Sequence, residues 1–309
     1  MFAQHHEFGT IFSRPASIAG CVLWTVCWTL LHRCLPLRQE PSGVPALEAR
    51  LWRFYVLKLR RMLAYCCVAS SAGLAMFLVS AFQAEPVKSM LMSFGPVQQF
   101  FFWMAVGHWI TALWEDWRTR SFLHQGLTSN SAGGLAFFPL NLCCSSAQVM
   151  YCMYTAHHVV TVFAYLYTLA TYQLGGVMVQ GLIFELPVMF MLRRELGNAQ
   201  HELPGWLQHE RSTNRHWRLT YLMFFAGRGI AEVLWVMSML PGHSGTLQDC
   251  LSDASLVVYH TLAVFFTSLN VRILGLLMCW HQQDVSRARS LEPKGAQALD
   301  DPKRSSQLC

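Results

Sequence analysis

The sequence predicts an all-α polytopic membrane protein with about seven transmembrane helices. Apolar residues make up 53% of the 309 positions and charged residues only 13%, well below the roughly 25% that is typical of a soluble domain. Several apolar runs approach or exceed the about 20 residues that a helix needs to cross a bilayer. The Lys and Arg residues lie mainly between those runs, so the net charge of +6 does not indicate a nucleic-acid-binding protein.

Seven apolar runs are predicted to span the membrane. They lie at residues 17–34, 62–82, 97–114, 147–170, 174–192, 217–240 and 255–280. An eighth run, residues 134–146, is short and contains Pro139 and Asn141. We expect it to be a re-entrant or interfacial element, which is stable at membrane depth only where protein covers its backbone.

The distribution of basic residues favours seven spans over eight. Seven spans put the N-terminus outside, the C-terminus in the cytoplasm and all but four of the 23 Lys and Arg residues in cytoplasmic segments. The exceptions are Arg14 and Lys88 outside and Arg228 and Arg272 within spans. Eight spans would put residues 193–218 and the basic C-terminal tail outside, against the positive-inside rule.

Four regions follow one another along the chain. Residues 1–35 are expected to form a signal-anchor helix, because no small-residue cleavage site follows the apolar run. Residues 36–61 are a basic cytoplasmic linker or a helix lying on the cytoplasmic face, and the sequence leaves both alternatives open. Residues 62–283 form the membrane domain. Residues 284–309 are polar and are expected to be a disordered cytoplasmic tail.

The clearest functional signal is the adjacent pair His157 and His158 in the fourth predicted span. An imidazole in hydrocarbon is costly, so it is a functional-site hypothesis by default. Adjacent helical residues diverge by about 100°, so both rings can border one cavity but cannot point the same way. Thr161 and Tyr165 extend the polar face of this helix. A lone intramembrane histidine is a hydrogen-bonded structural residue as often as it is a functional one. We interpret His108 as structural.

The next three spans carry polar residues at a similar depth. Glu185 has no partner within its own helix, so we expect it to meet a histidine or an arginine of a neighbouring span. Arg228 and Glu232 are four residues apart and can pair on one helical face, which could also be purely structural. The last span adds Asn270 and Arg272. Because four consecutive spans contribute, the sequence predicts one shared internal polar site.

No metal site or disulfide framework is predicted from the 11 cysteines. Most of them lie inside apolar runs, where a free cysteine acts as a small apolar residue. The pairs His201-Glu202 and His209-Glu210 do not form the H-E-x-x-H zinc motif. Haem ligation by the histidine pair is disfavoured, because adjacent histidines on one helix cannot both reach one iron axially.

The order and spacing of several motifs resemble the TLC-domain family of ceramide synthases, translocating-chain-associated proteins and the neuronal ceroid lipofuscinosis protein. The resemblance covers roughly residues 62–283. The next helix of the ceramide synthases carries a His-Asp pair that is missing here, so the chain is more similar to the other branch of the family. The matching motifs are Gly107-His108-Trp109-Ile110 with Glu115-Asp116, His157-His158-Val-Val-Thr161, Phe184-Glu185-Leu-Pro187, Phe225-Ala-Gly-Arg228 and Leu269-Asn270-Val-Arg272.

The resemblance implies a six-helix bundle, spans two to seven, around a cavity that accommodates lipid. It also implies that the histidine pair is catalytic. We therefore expect an acyltransferase-like enzyme of sphingolipid or phospholipid metabolism in the endoplasmic reticulum, with membrane lipids as partners, acyl-CoA as co-substrate and no other cofactor. The alternative is a non-enzymatic lipid-homeostasis, lipid-binding or trafficking factor. The predicted catalytic residues are His157, His158 and Glu185, and the predicted substrate-binding residues are Thr161, Tyr165, Arg228, Glu232, Asn270 and Arg272.

Overall fold

The structure is a computed structural model, and it describes residues 15–34, 46–128, 147–199, 205–240 and 248–291. Within these ranges the regular secondary structure is helical and no strand occurs, which confirms the predicted all-α class. The predicted re-entrant segment at residues 134–146 lies outside the described residues.

The helices cover every one of the seven predicted spans. A π-helical turn, Phe225–Gly229, joins α8 to α9, and a short 3₁₀ turn, Gly205–Leu207, precedes α8. The helices are α1 (Pro15–Cys34), α2 (Ala46–Ala81), α3 (Pro86–Met92), α4 (Pro96–Thr128), α5 (Ala147–Thr171), α6 (Gly175–Ile183), α7 (Leu186–Ala199), α8 (Glu210–Phe224), α9 (Ile230–Met239) and α10 (Asp253–Leu291).

Among the described residues, four helical stretches are long and apolar enough to cross a membrane, as expected of a multi-pass membrane protein. The apolar part of α1, Ile18–Leu31, is shorter. The count of seven spans stays a prediction. The four stretches are Trp52–Ala81, Gly175–Gly197, Glu210–Met239 and Asp253–Leu291.

Small residues bring several helices into close contact. A Cβ atom built at Gly107 of α4 would lie 2.6 Å from Trp24 Cβ of α1, and one built at Gly73 of α2 would lie 2.9 Å from Leu182 Cβ of α6. Larger side chains would force these helices apart. Such contacts are typical of membrane helices, whose association depends on close packing rather than on the exclusion of water.

The basic segment before the second predicted span is helical from Ala46. It continues into α2 without a break, so it is the first part of that long helix. Trp52, Val56 and Leu59 on this part are buried, which means that one of its faces packs inside the protein.

The predicted disordered tail is wrong for its first eight residues, because α10 continues to Leu291. The physical reason is a buried ion pair. Asp284 accepts two hydrogen bonds from Arg194 of α7, both 2.7 Å long, and a third from Trp217 Nε1 of α8 at 3.2 Å. Ala288, one turn further on, is also buried. Residues 292–309 of the predicted tail lie outside the described residues.

Two irregular turns face each other at the centre of the molecule. The fifth predicted span breaks at residues 184–185, between α6 and α7. Pro187 explains this break, since it has no N–H to donate to the carbonyl of Ile183. The π-helical turn packs directly against it: a Cβ atom at Gly227 would lie 2.9 Å from Ile183 O and 3.2 Å from Pro187 Cδ. The break carries Glu185 and the π-helical turn carries Arg228, so this contact brings both charged residues to one place.

Candidate functional site

Two adjoining cavities lie between the helices and share the residues His157, Glu185 and Arg228. The Tyr165 cavity, bordered also by Tyr165, lies between α5, α6, α9 and α10 and contains about 720 Å³ of space not occupied by protein atoms. The His158 cavity, bordered also by His158, reaches α2, α4 and α7 and contains about 700 Å³. Both volumes include space that is open to the surroundings.

Eight of the nine predicted site residues border these cavities. The ninth, Asn270, is buried and hydrogen-bonds to two of the eight. Arg272 borders the His158 cavity, although the residue is exposed. Residues from four consecutive predicted spans therefore meet in one region. The residues at the Tyr165 cavity are His157, Thr161, Tyr165, Glu185, Arg228 and Glu232, and those at the His158 cavity include His157, His158, Glu185, Arg228 and Arg272.

His158 is held by a carboxylate, but the carboxylate is not the one that the sequence suggested. Its Nδ1 atom lies 3.2 Å from Asp116 Oδ2 of α4. Asp116 is buried and forms an ion pair with Lys58 of α2. Glu185, the expected partner of a histidine or an arginine, borders both cavities together with Arg228, and it accepts a hydrogen bond of 3.2 Å from the thiol of Cys66.

His157 has a different environment from its neighbour. Its Nδ1 atom lies 3.4 Å from the hydroxyl of Thr161, and that hydroxyl donates a hydrogen bond of 2.8 Å to the carbonyl of His157. The ring packs edge-on against Phe266 and Trp109. The two imidazole centroids are 5.6 Å apart and their planes differ by 52°. The rings thus border adjoining space without sharing a direction, as the helical geometry predicted.

Arg228 reaches Glu232 through an intermediary. Its Nη1 atom donates a hydrogen bond of 2.6 Å to Asn270 Oδ1, and Asn270 Nδ2 donates one of 2.8 Å to Glu232 Oε1. Thr267 donates to the other carboxylate oxygen at 2.5 Å. Arg228 lies in the π-helical turn, so the helix departs locally from the regular α-helix for which the pairing at four-residue spacing was predicted.

A second buried polar cluster lies beside the His158 cavity. Arg61 is fully buried, and it donates a hydrogen bond of 2.7 Å to Glu115 and one of 3.0 Å to His108 Nδ1. Because arginine has no acceptor atom, Nδ1 of His108 must accept this bond. Tyr65 stacks on the same imidazole at a centroid distance of 3.6 Å. These contacts agree with a structural role for His108.

Lys58, Arg61, Cys66 and Asp116 were not among the predicted site residues. The sequence contains a signal for the charged ones, because basic residues directly precede the second predicted span and two acids, Glu115 and Asp116, directly follow the third. Charges of opposite sign at the same end of two adjacent spans can pair inside a bundle. Their lateral positions, however, could not be obtained from the sequence.

Comparison with known proteins adds no further assignment. Within the described ranges, no group of three or more His, Cys, Asp or Glu side chains is placed to bind a metal ion. No family model, no curated protein and no solved structure matches the chain. The resemblance to the TLC-domain family remains a prediction from the motifs quoted above.

Proposed function

We propose that this chain is a TLC-like membrane protein of lipid metabolism that acts as an acyltransferase-like enzyme on sphingolipid or phospholipid substrates. One observation carries the proposal: His157 borders two adjoining cavities together with Glu185 and Arg228, while His158 is hydrogen-bonded to a buried carboxylate. Buried titratable groups that converge on a cavity are typical of an active site. Seven spans, a cytoplasmic C-terminus and residence in the endoplasmic reticulum belong to the same proposal.

The walls of the Tyr165 cavity suit a lipid chain. Between its polar residues lie apolar side chains of four helical elements, among them Val177, Met178, Leu262 and Phe266. Ligand sites are usually of this kind, with mostly apolar walls and a few polar groups that fix the orientation. A lipid whose acyl chain is bound here would have its polar end beside His157, Glu185 and Arg228, the residues that border both cavities.

The proposed reaction transfers an acyl group from a thioester to a lipid acceptor. The amine or hydroxyl of the acceptor attacks the carbonyl carbon, so that a C–N or C–O bond forms and the C–S bond breaks. An imidazole accepts the proton that the acceptor loses and passes it to the departing thiolate. In a second route an imidazole nitrogen first takes the acyl group and the acceptor then removes it. In both routes the proton moves overall from the acceptor to the thiolate.

Arginine residues supply the positive charge that an anionic donor requires. Arg228 lies where the two cavities meet, and Arg272 extends from the His158 cavity to the exposed surface. Guanidinium groups bind phosphate oxygens in a bidentate manner. We propose that they hold the phosphates of an acyl-CoA while its acyl chain enters between the helices.

Turnover by the purified protein tests the proposal. Wild type in lipid nanodiscs is incubated with a labelled acyl-CoA and a mixture of sphingoid-base and lysophospholipid acceptors, and products are identified by mass spectrometry. We expect His157→Ala and His158→Ala each to abolish product formation. The control is His281→Ala, because His281 lies away from both cavities, beside Asn214 and Tyr221. Equal product from all four proteins would refute catalysis by the pair.

A non-enzymatic lipid-binding role is the second candidate, and one contact favours it. Glu185 lies between the cavities, yet its hydrogen bond comes from the thiol of Cys66 and not from either imidazole. A carboxylate used in this way helps to shape a binding site without activating a histidine. Lipids that copurify with wild type, together with no turnover of any acyl donor tested, would favour this role.

A further inference from the structure

Three ionisable side chains, Lys58, Asp116 and His158, contact one another in series and connect the partly exposed Lys58 of α2 to the His158 cavity. Lys58 is partly exposed, with 21% of its side-chain surface accessible, and pairs with Asp116. Asp116 in turn lies against Nδ1 of His158, and both side chains are more than nine-tenths buried. The three residues come from α2, α4 and α5, so the contact depends on the packing of the bundle and not on local sequence.

This series of contacts determines which nitrogen of the His158 ring carries the proton. The nearby ammonium group of Lys58 favours an ionised Asp116, and an ionised carboxylate can only accept hydrogen bonds. Nδ1 of His158 must therefore carry the proton. In the neutral ring this leaves the lone pair on Nε2, the nitrogen directed away from Asp116. A carboxylate that holds an imidazole in one tautomer also stabilises the imidazolium that forms when the ring accepts a proton.

His157 lacks the same arrangement among the described contacts. Its ring nitrogen meets the neutral hydroxyl of Thr161 at 3.4 Å, and its faces and edges meet aromatic rings. Among the contacts of the described residues, none comparable to the Lys58–Asp116 pair stabilises a positive charge on this ring. The two adjacent histidines are therefore chemically different, although the sequence makes them look equivalent.

We infer that Asp116, held by Lys58, is a positioning residue that makes His158 the proton acceptor of the pair and leaves His157 to contact the substrate. The assignment of chemical roles rests on the proposed function. The orientation of the His158 ring by Asp116 does not, so the two can be tested separately.

The first measurement is the tautomer of His158. Protein labelled with ¹⁵N-histidine is studied by NMR in nanodiscs, and the His158 signals are assigned by their loss in His158→Gln. We expect a single Nδ1–H tautomer in wild type and a mixed or reversed tautomer in Asp116→Asn. Glu115→Gln is the matched control, because it changes the adjacent buried acid, which pairs with Arg61. An unchanged tautomer in Asp116→Asn would overturn the inference.

The second measurement is turnover of the labelled acyl-CoA. We expect Asp116→Asn to lower kcat by about 10²- to 10⁴-fold, by analogy with the loss of a carboxylate that orients a catalytic histidine, with the KM for acyl-CoA changed less than threefold. Glu115→Gln should keep kcat within about threefold of wild type. If Asp116→Asn does not fold, Lys58→Gln replaces it, and a smaller loss of kcat with a disturbed tautomer is expected.

The outcomes separate the inference from the proposed function. A disturbed tautomer together with a lower kcat supports both. A disturbed tautomer with unchanged kcat overturns His158 as the proton acceptor. If wild type itself shows no turnover, the proposed function fails, and the tautomer alone decides whether Asp116 positions His158.

Discussion

Replacement of Asp284 by Ala should destabilise the protein far more than removal of a similar ion pair on its surface. Asp284 of α10 accepts two hydrogen bonds of 2.7 Å from Arg194 and one from Trp217, and the side chains of the ion pair are only 6% and 10% exposed. Removing one partner of a buried ion pair costs about 3–5 kcal/mol. Glu195 also contacts Arg194, at 2.6 Å, and retains part of its stabilisation. We therefore expect a loss of about 3 kcal/mol.

The matched control is Glu210→Ala, which removes another bidentate pair with α10. Glu210 accepts hydrogen bonds of 2.6 and 2.7 Å from Arg289, but the two side chains are 31% and 59% exposed. Exposed pairs contribute about 0–1 kcal/mol. Both pairs join an arginine to a carboxylate through two hydrogen bonds, so the main differences are burial and the third hydrogen bond that Trp217 donates to Asp284.

The free energy of unfolding is measured in mixed detergent micelles with increasing SDS, by tryptophan fluorescence. A loss of about 3 kcal/mol corresponds to a change of roughly 150-fold in the unfolding equilibrium constant at 25 °C. Equal losses in Asp284→Ala and Glu210→Ala would refute the argument, because burial would then not determine the strength of the pair. A loss below about 1 kcal/mol in Asp284→Ala would show that α10 does not need this anchor.

Three further outcomes follow from the contacts of the site. Gly227→Ala should destabilise the protein by about 1–2 kcal/mol, because the added Cβ would lie 2.9 Å from Ile183 O. The control is Gly275→Ala, which should be neutral or slightly stabilising, because its Cβ would have no atom within 4 Å. Thermal unfolding compares the two variants. Asn270→Leu should cost about 2–3 kcal/mol in the same assay, because it removes the hydrogen bonds that join the buried Arg228 to Glu232. Arg272→Ala should weaken acyl-CoA binding about tenfold in an equilibrium binding assay, because Arg272 borders the His158 cavity and a guanidinium group binds phosphate oxygens. Unchanged affinity would refute its role in donor binding.

The apolar runs predicted the positions of the helices well, because hydropathy at this scale depends on composition and not on detailed contacts. The boundaries were less predictable. The polar start of α2 was expected to be a linker or an interfacial helix, and the polar end of α10 was expected to be a disordered tail. They are helical because Arg61 and Asp284 find partners on other helices, and such partners are not visible in a single segment.

The sequence predicts how far along its span each site residue lies, and this was the only basis for predicting that the residues converge on one site. Counting residues along each span suggested that His157, Glu185 and Arg228 lie at one level, and in the structure they border the same cavities. Counting does not tell which face of a helix meets which neighbour. For this reason the sequence did not identify Asp116, 42 positions away, as the carboxylate beside His158.

The helical period predicted Arg228 and Glu232 on one face of a regular helix from residue 217 to 240. In the structure a π-helical turn interrupts that helix at Arg228, and Asn270 hydrogen-bonds to both side chains. The neighbouring helix is broken by Pro187 at the same level, and Gly227 allows the two irregular turns to touch. Since each irregularity costs stability and π-helical turns frequently occur at functional sites, their contact at Glu185 and Arg228 is better explained by a polar site in the membrane interior than by packing alone.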